Sequence, residues 1–463
     1  MNLVILQPVA NARFAERAYR DDIAVLAAAL REGGHTVSLA VVTPDDEADL
    51  AAAMAEVRPG LVLIYIEALA ADVAARAAGA VASALGAPLI PFGPHARLCP
   101  DLCLSLPGAE AVAVGPADAT IPAYLEARAS RVDSLRTPGI WVKCETGVMQ
   151  NSPPPPPDDL AAAPRPARDL YRSEQMLDSA GFAPVTVARG GEARTAGRAA
   201  PDAPARRAAA GWPVRHRPVN PCIEEMRLVA ETQFDLGGWR VGNTRWVSSP
   251  AWLSDFADRY RKEVGLPIRT TLHAPDVKDK TASLLARAGC EEAAVAVGSA
   301  SNLIRNEVLG MDVPEGAIVK AFSALRRAGI RTVARVQVGA PYETTVTLDE
   351  TTALLGRLDP DRVEAVLHYP APGTEAERIA RENGWLVPDP AAACLAGRPS
   401  VAVPSFPADD IAAACELLPY VVHRPWIVPL LRRAQRVRIG RRGTAFNLIL
   451  KPFLAPPMRR KKR

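Results

Sequence analysis

Pro59-Gly60-Leu61-Val62-Leu63-Ile64-Tyr65-Ile66 is the stretch on which the fold turns. Its apolar run has the length of a strand and no polar alternation, so both of its faces must be covered. An alanine-rich helical run, 70–85, follows it. Working outward, 3–6 reads as a strand, 23–30 has helical spacing closed by Gly33-Gly34, 36–42 reads as a strand and about 45–57 as a helix. Residues 89–92 form another strand that runs into Gly93-Pro94-His95. Strands alternating with helices place the chain in the α/β class and predict a doubly wound, Rossmann-like domain over 1–130. Its binding crevice is expected at the carboxyl ends of the strands, where Gln7-Pro8, Tyr65-Ile66-Glu67, Gly93-Pro94-His95 and Gly115-Pro116 collect.

Five consecutive prolines, 153–157, can form neither helix nor central strand. They mark 131–180 as a Pro-rich linker. Beyond it, strands are expected at 184–187, 239–241, 268–272, 293–297, 332–338 and 362–367, with an irregular Ala/Arg/Pro/Gly stretch at 190–211. Helices are expected at 222–230 and near 253–264, 280–288, 315–328 and 347–358. Six strand-helix units in series predict a partial, TIM-like (β/α)6 barrel over 181–400, followed by a helical, basic extension over 401–463. In such a barrel the active groups sit on loops leaving the carboxyl ends of the strands.

The 463 residues are 49% hydrophobic, which excludes wholesale disorder. No basic region leads into an early apolar stretch, and the runs 61–66 and 446–450 are too short to span a bilayer. A cytoplasmic, unprocessed protein is therefore expected. Seven cysteines, at 99, 103, 144, 222, 290, 394 and 415, are odd in number and scattered, so a disulfide framework does not fit and a reducing compartment does. After Glu416 the chain has thirteen Lys or Arg and no Asp or Glu, ending in Arg459-Arg460-Lys461-Lys462-Arg463. Apolar stretches interleaved with this charge suit peripheral contact with an anionic membrane. A solvated tail is the simpler reading, and nucleic acid, drawn by counterion release, ranks last.

The strand-end loops read Ala188-Arg189-Gly190, Val241-Gly242-Asn243-Thr244, Val297-Gly298-Ser299-Ala300-Ser301, Val338-Gly339-Ala340-Pro341-Tyr342-Glu343-Thr344 and Tyr369-Pro370-Ala371-Pro372-Gly373-Thr374-Glu375. With Arg287-Ala288-Gly289-Cys290, Leu358-Asp359-Pro360-Asp361 and Glu382-Asn383-Gly384-Trp385, this order resembles the cobalamin-binding radical S-adenosylmethionine family. Phe92-Gly93-Pro94-His95, the segment 108–115 and Pro164-Arg165-Pro166-Ala167-Arg168-Asp169-Leu170 are similar to its cobalamin-binding half and linker. The resemblance covers about 1–400. It implies cobalamin contact at Gly93, Pro94, His95 and Gly115, and cofactor contact at Gly339 and Glu343 on a barrel loop.

The resemblance also implies three thiolates, spaced C-x3-C-x2-C after the first barrel strand, that hold a four-iron, four-sulfur cluster open to S-adenosylmethionine. Those positions align with Gly191, Thr195 and Arg198. Glycine offers no ligand, a neutral hydroxyl is a poor donor to iron, and a guanidinium repels the metal. The cluster is therefore expected to be absent. Gly298 stands where the family commonly has a carboxylate near the nucleotide ribose, Gly242-Asn243 where it has an acidic pair, and Tyr65 where a small serine faces the cobalamin tail.

Other candidates have blander readings. Cys99 and Cys103 have C-x3-C spacing without a third thiol and read as packed helix cysteines. His216, between Arg215 and Arg217, reads as part of a solvated basic stretch rather than a phosphate site. His273 and His368, with Glu343, could form a residual metal or acid-base site at the barrel mouth, but lack partners at ligand spacing. Trp239 and Trp246 read as packing. The functional expectation is a degenerate, non-radical binding or accessory protein, a pseudoenzyme assisting an intact paralogue. The alternative is an enzyme that keeps cobalamin or S-adenosylmethionine for polar chemistry such as methyl transfer. A radical enzyme with unusual ligands would need cysteines the chain does not offer, so whether it is an enzyme at all stays open.

Overall fold

The computed structural model describes residues 1–130, 132–155, 159–191 and 212–422, together with 430 and 433. Thr195, Arg198 and most of the basic tail, including the final run 459–463, lie outside the described residues. Two compact units are distinguished among them: 1–191, 212–240 and 371–374 form the first, 241–370 and 375–422 the second.

The first unit is built on β1 (Asn2–Pro8), β2 (Thr36–Val42), β3 (Leu61–Tyr65) and β4 (Leu89–Phe92), all parallel in the order β2-β1-β3-β4. Alternation sorts their side chains onto two faces. Leu3, Ile5, Leu63 and Ile90 join Ile23, Leu26, Ile121 and Tyr124 of the helices Asp21–Glu32 and Ala117–Ala129 in one core. Val4, Leu6, Val62 and Ile64 join Leu50, Met54, Val73 and Val81 in the other. Burial on both sides is why the run at Leu61 shows no polar alternation. The segment Ala68–Leu85 is long and apolar enough to cross a membrane, yet its Val73, Ala74, Ala77 and Val81 face packs in this second core.

β5 (Ala111–Ala113), β6 (Ile140–Cys144) and β7 (Gly147–Gln150) add an antiparallel sheet. The hairpin β6-β7 falls inside 131–180, where the sequence reading expected only linker. β8 (Phe182–Thr186), the short antiparallel pair β9 (Ala188–Arg189) and β10 (Arg215–His216), and the helix Val219–Thr232 complete the unit.

A six-stranded sheet has the order β15-β14-β13-β12-β11-β8, with β11 (Gly238–Gly242), β12 (Ile268–Leu272), β13 (Cys290–Gly298), β14 (Arg331–Val338) and β15 (Arg362–Leu367). This is the partial barrel expected from the strand-helix repeats. In the second unit β12 to β15 pair in parallel, and Leu272, Ala293, Val295, Ala334 and Val336 are buried. The register lines Thr271, Ala294 and Val333 up on the other face, with Ala296, Arg335 and Glu364 one step along it.

Candidate functional site

Strand order β2-β1-β3-β4 puts the topological switch point of the first unit between β1 and β3, where a doubly wound sheet binds its ligands. Here the ends of these strands satisfy one another. Gln7, fully buried, donates through Nε2 to the Ala18 carbonyl and accepts from the Tyr171 hydroxyl at 2.9 Å. Arg20 pairs with Glu67 at 2.8 Å, and Tyr19 and Tyr171 meet edge to face at 5.0 Å. Tyr65 is buried against Phe92, ring centroids 5.4 Å apart. A Cβ at Gly93 would stand 2.9 Å from the Tyr65 ring, and Gly93 has φ +104, so only glycine fits beside this tyrosine.

A cavity of about 220 Å³ lies beside the switch point in the same unit. Gly93, Gly115 and Gly191 border it, so it brings together two crevice positions and one cluster-loop position expected from the sequence. The Gly191 amide donates to the Trp212 carbonyl at 3.1 Å. Pro94 opens the short helix Pro94–Leu98, and His95 is buried behind it, its Nδ1 without a partner among the described residues. Burial lowers the His95 pKa and favours the neutral ring.

Charged side chains that the sequence reading did not single out also border the cavity. Arg189 pairs with Asp118 at 2.5 Å, and Asp21 lies 3.7 Å from Arg168 and accepts from the Tyr19 hydroxyl. Asp22 and Arg97 face the same space. Asp22 is exposed and borders the cavity, where desolvation by the surrounding protein raises its pKa against the opposing pull of Arg97 and Arg189. Behind the cavity, Glu225 is buried between two guanidinium groups: Arg168 at 2.8 Å and Arg217 at 2.7 Å. The stretch at His216 is thus not simply a solvated face, because Arg217 turns inward to find the carboxylate that a helix begun at Val219 carries. Cys222, the first cysteine after 144, is fully buried, and burial pushes its thiol up to about 12, which keeps it protonated.

In the second unit Gly339 donates its amide to the Glu343 carboxylate at 2.5 Å. Glu343 is buried, and burial raises its pKa to about 7 despite the amides of Gly339 and Ala340. The pair is therefore engaged in bracing its own loop. His368 is buried and its Nδ1 meets Gln337 Oε1 at 2.7 Å. His273 begins the turn after β12, its amide donating to the Thr244 carbonyl at 2.7 Å. Among the described residues no three His, Cys, Asp or Glu side chains form a group able to hold a metal. Trp239 and Trp246 are fully buried, as packing residues should be.

One face of β12 to β15 carries a polar network. Arg335 bridges Glu364 at 2.7 Å and Thr271 at 2.9 Å, and Arg362 bridges Glu364 at 2.6 Å and Glu292 at 3.0 Å. Burial pushes the Glu364 pKa up, but Arg335 and Arg362 outweigh it and hold it below the ordinary value. The two-residue rhythm of Arg335-Val336-Gln337 and Arg362-Val363-Glu364 was the available signal for this face.

Two outcomes follow for this unit. Burial lowers the His368 pKa from 6.5 to about 4, so its contribution to stability is full above pH 6.5 and lost as pH falls toward 4. About 3 kcal/mol should be lost over that window. Denaturant titrations at several pH values check this, since His368→Gln should remove that part of the acid slope. At Gly298, φ is +65 and a Cβ would lie 2.5 Å from Met311 Sδ. Restoring a carboxylate there with Gly298→Asp should cost about 2–4 kcal/mol through strain and overpacking, read as a lowered denaturation midpoint.

No family model and no curated protein matches the chain. Solved structures do. The radical S-adenosylmethionine methyltransferase TsrM from Kitasatospora setae, with cobalamin and a [4Fe-4S] cluster bound, is similar at a TM-score of 0.62 and 17% identity, over 82% of this chain and 78% of that one. The cobalamin-dependent S-adenosylmethionine radical enzyme OxsB, in its apo form, is similar at a TM-score of 0.69 and 11% identity, over 95% and 69%. The same enzyme with aqua-cobalamin bound gives 0.64 and 12%, over 83% and 56%. At these identities the likeness shows a shared fold: a Rossmann-like sheet followed by a six-stranded partial barrel.

Proposed function

We propose that the chain is a non-radical binding protein on the scaffold of the cobalamin-dependent radical S-adenosylmethionine enzymes, a pseudoenzyme that assists an intact paralogue. One observation carries the reading: no cysteine occurs between Cys144 and Cys222, so the loop leaving Ala188-Arg189-Gly190 has no thiolate to offer iron. A cluster does not fit this donor set.

Two filled positions support it. Tyr65 occupies the space beside Gly93 where the resemblance leads one to expect a cobalamin tail against a small side chain, and the Gln7, Tyr171 and Arg20–Glu67 contacts use the polar groups at the switch point. Cobalamin does not fit that crevice as it stands. Met311 and Leu309 occupy the space next to Gly298 where a ribose-binding carboxylate would project. What the residues present do is bind and brace: Glu343 holds its loop, Glu225 holds two arginines, and the cavity keeps charged groups facing inward.

Calorimetric titration with hydroxocobalamin and with S-adenosylmethionine, beside anaerobic reconstitution with iron and sulfide followed by iron counting, tests the reading. Saturable binding of neither is expected. Binding of either would favour the alternative of polar chemistry without a cluster. An intact C-x3-C-x2-C homologue encoded next to this gene is the expected genomic setting for an accessory role.

A further inference from the structure

We propose that the loop 339–343 is a proton-operated clasp for the helix Ala408–Val421: the helix stays docked while Glu343 is neutral and loosens when Glu343 ionises. The inference concerns the second unit and does not rest on the binding-protein reading. Loop and helix meet closely. A Cβ at Gly339 would stand 2.8 Å from Ile411 Cγ2, and one turn further along the helix Cys415 lies near enough for the Glu343 charge to oppose ionisation of its thiol. Glu343 itself is 1% exposed. Its carboxylate accepts from the Gly339 amide at 2.5 Å, and its own amide donates to the Ala340 carbonyl at 3.1 Å.

The loop is held in an unfavourable shape. Gly339 has φ +87, and Tyr342, 41% exposed and edge to face with Trp385 at 5.4 Å, has φ +65, a region that a bulky side chain rarely enters. Such a conformation persists only where its surroundings impose it, and here the carboxylate-to-amide bond under Ile411 does so. No cation secures the charge: among the described residues Glu343 pairs with no Lys, Arg or His. On the elements packed on Ala340, Arg305 is spent on the carbonyls of Ser299, Ala300 and Val313, while Arg378 and Arg381 pair with Glu375, Glu382 and Glu377. Glu307 of the π-helix Leu303–Val308 is exposed, and Glu416 follows Cys415. The Cys415 thiol is pushed up to about 11 by burial and stays protonated, and His368, beside Val338, is lowered to about 4 and stays essentially neutral. Between pH 5 and pH 8, Glu343 is the member of this set that titrates.

Burial raises the Glu343 pKa from 4.5 to about 7 in the closed loop, and a helix lifted to admit water returns it toward 4.5. Opening is therefore least below pH 4.5, grows by up to about tenfold per pH unit between 4.5 and 7, and levels off above pH 7. The helix is the cover that gives way, because β14 lies inside a hydrogen-bonded sheet whereas the helix is attached through buried side chains such as Ile411 and Leu418. His368 acts with the opposite sign, since its contribution to stability is lost as pH falls, so it cannot produce loosening as pH rises.

The test is amide deuterium exchange of the full chain, followed by mass spectrometry from pH 5 to pH 8 and corrected for the chemical exchange rate at each pH. Opening in the peptides that cover 339–344 and 408–421 is expected to rise together, by at least about tenfold between pH 5 and pH 7 and by less than about threefold from pH 7 to pH 8. Glu343→Gln keeps the hydrogen-bonding shape without the charge. It should remove the rise in both segments and leave exchange elsewhere unchanged, with folding followed by circular dichroism. A flat profile in the unaltered chain, a rise that Glu343→Gln retains, or a rise in the loop that the helix does not share would overturn the proposal. Should Glu343→Gln not fold, the unaltered chain decides: a coincident rise that levels near pH 7 supports the clasp, and a flat, unlevelled or loop-only profile overturns it.

Discussion

Glu225→Ala should lower the unfolding free energy by about 3–5 kcal/mol, because it leaves two buried guanidinium groups without their counter-charge. Arg168 reaches Glu225 at 2.8 Å and also donates to the Pro184 carbonyl at 2.9 Å, with its guanidinium carbon 4.4 Å from the Tyr19 ring centroid. Arg217 reaches the other carboxylate oxygen at 2.7 Å and the Thr186 carbonyl at 3.0 Å. These side chains tie the linker, the end of β8 and the helix Val219–Thr232 together inside the first unit. Glu225→Gln, which keeps an acceptor and loses the charge, should cost less. Urea unfolding of the three chains gives the comparison, and a Glu225→Ala midpoint equal to that of the unaltered chain would mean that Arg168 and Arg217 find other partners. The net value of the triad is a separate matter, since replacing a whole buried ion cluster by packed apolar groups can be neutral.

Tyr65→Ser should cost about 3–5 kcal/mol, the range for truncating a large buried aromatic, since Tyr65 is 3% exposed and packs in the first core. The same substitution opens the space between Gly93 and Phe92. Hydroxocobalamin retention on gel filtration should therefore be greater for Tyr65→Ser than for the unaltered chain. Equal retention by the two would show that Tyr65 is not what excludes the tail.

Much of the fold was legible because it follows local rules. Uninterrupted runs such as Leu61-Val62-Leu63-Ile64 can be satisfied only inside a sheet covered on both faces, and the helix-length spacers between strands then require parallel pairing. The barrel strands were found within a few residues of their observed bounds, with β8 displaced toward Phe182 by pairing that no local signal reveals. The hairpin of β6 and β7 was not read, because its strands are short, one is fully exposed, and the proline run beside them dominates the composition.

The site was less legible. Gly93 and Gly115 could be found because they stand in recognisable strand-end turns, whereas Gly191 was reached only because the resemblance places a cluster ligand there. Asp22 and Arg97 could not, since they lie on separate elements and no short spacing links them. Arg217 was misread from its neighbours: Arg215 and His216 gave the segment a solvated appearance, while its partner sits eight residues on, where the turn into the next helix brings it back. The polar face of β14 and β15 was legible in principle, by alternation. The apolar residues between its charges carried the strand reading, and the charges themselves were not followed.

The central claim is that this scaffold has lost the capacity to hold a four-iron, four-sulfur cluster. Anaerobic reconstitution of the full chain with iron and sulfide, followed by iron counting and visible absorption after desalting, tests it most directly. The account predicts iron far below four per chain and no sulfide-to-iron charge-transfer band. A stable cluster near four irons per chain would contradict it.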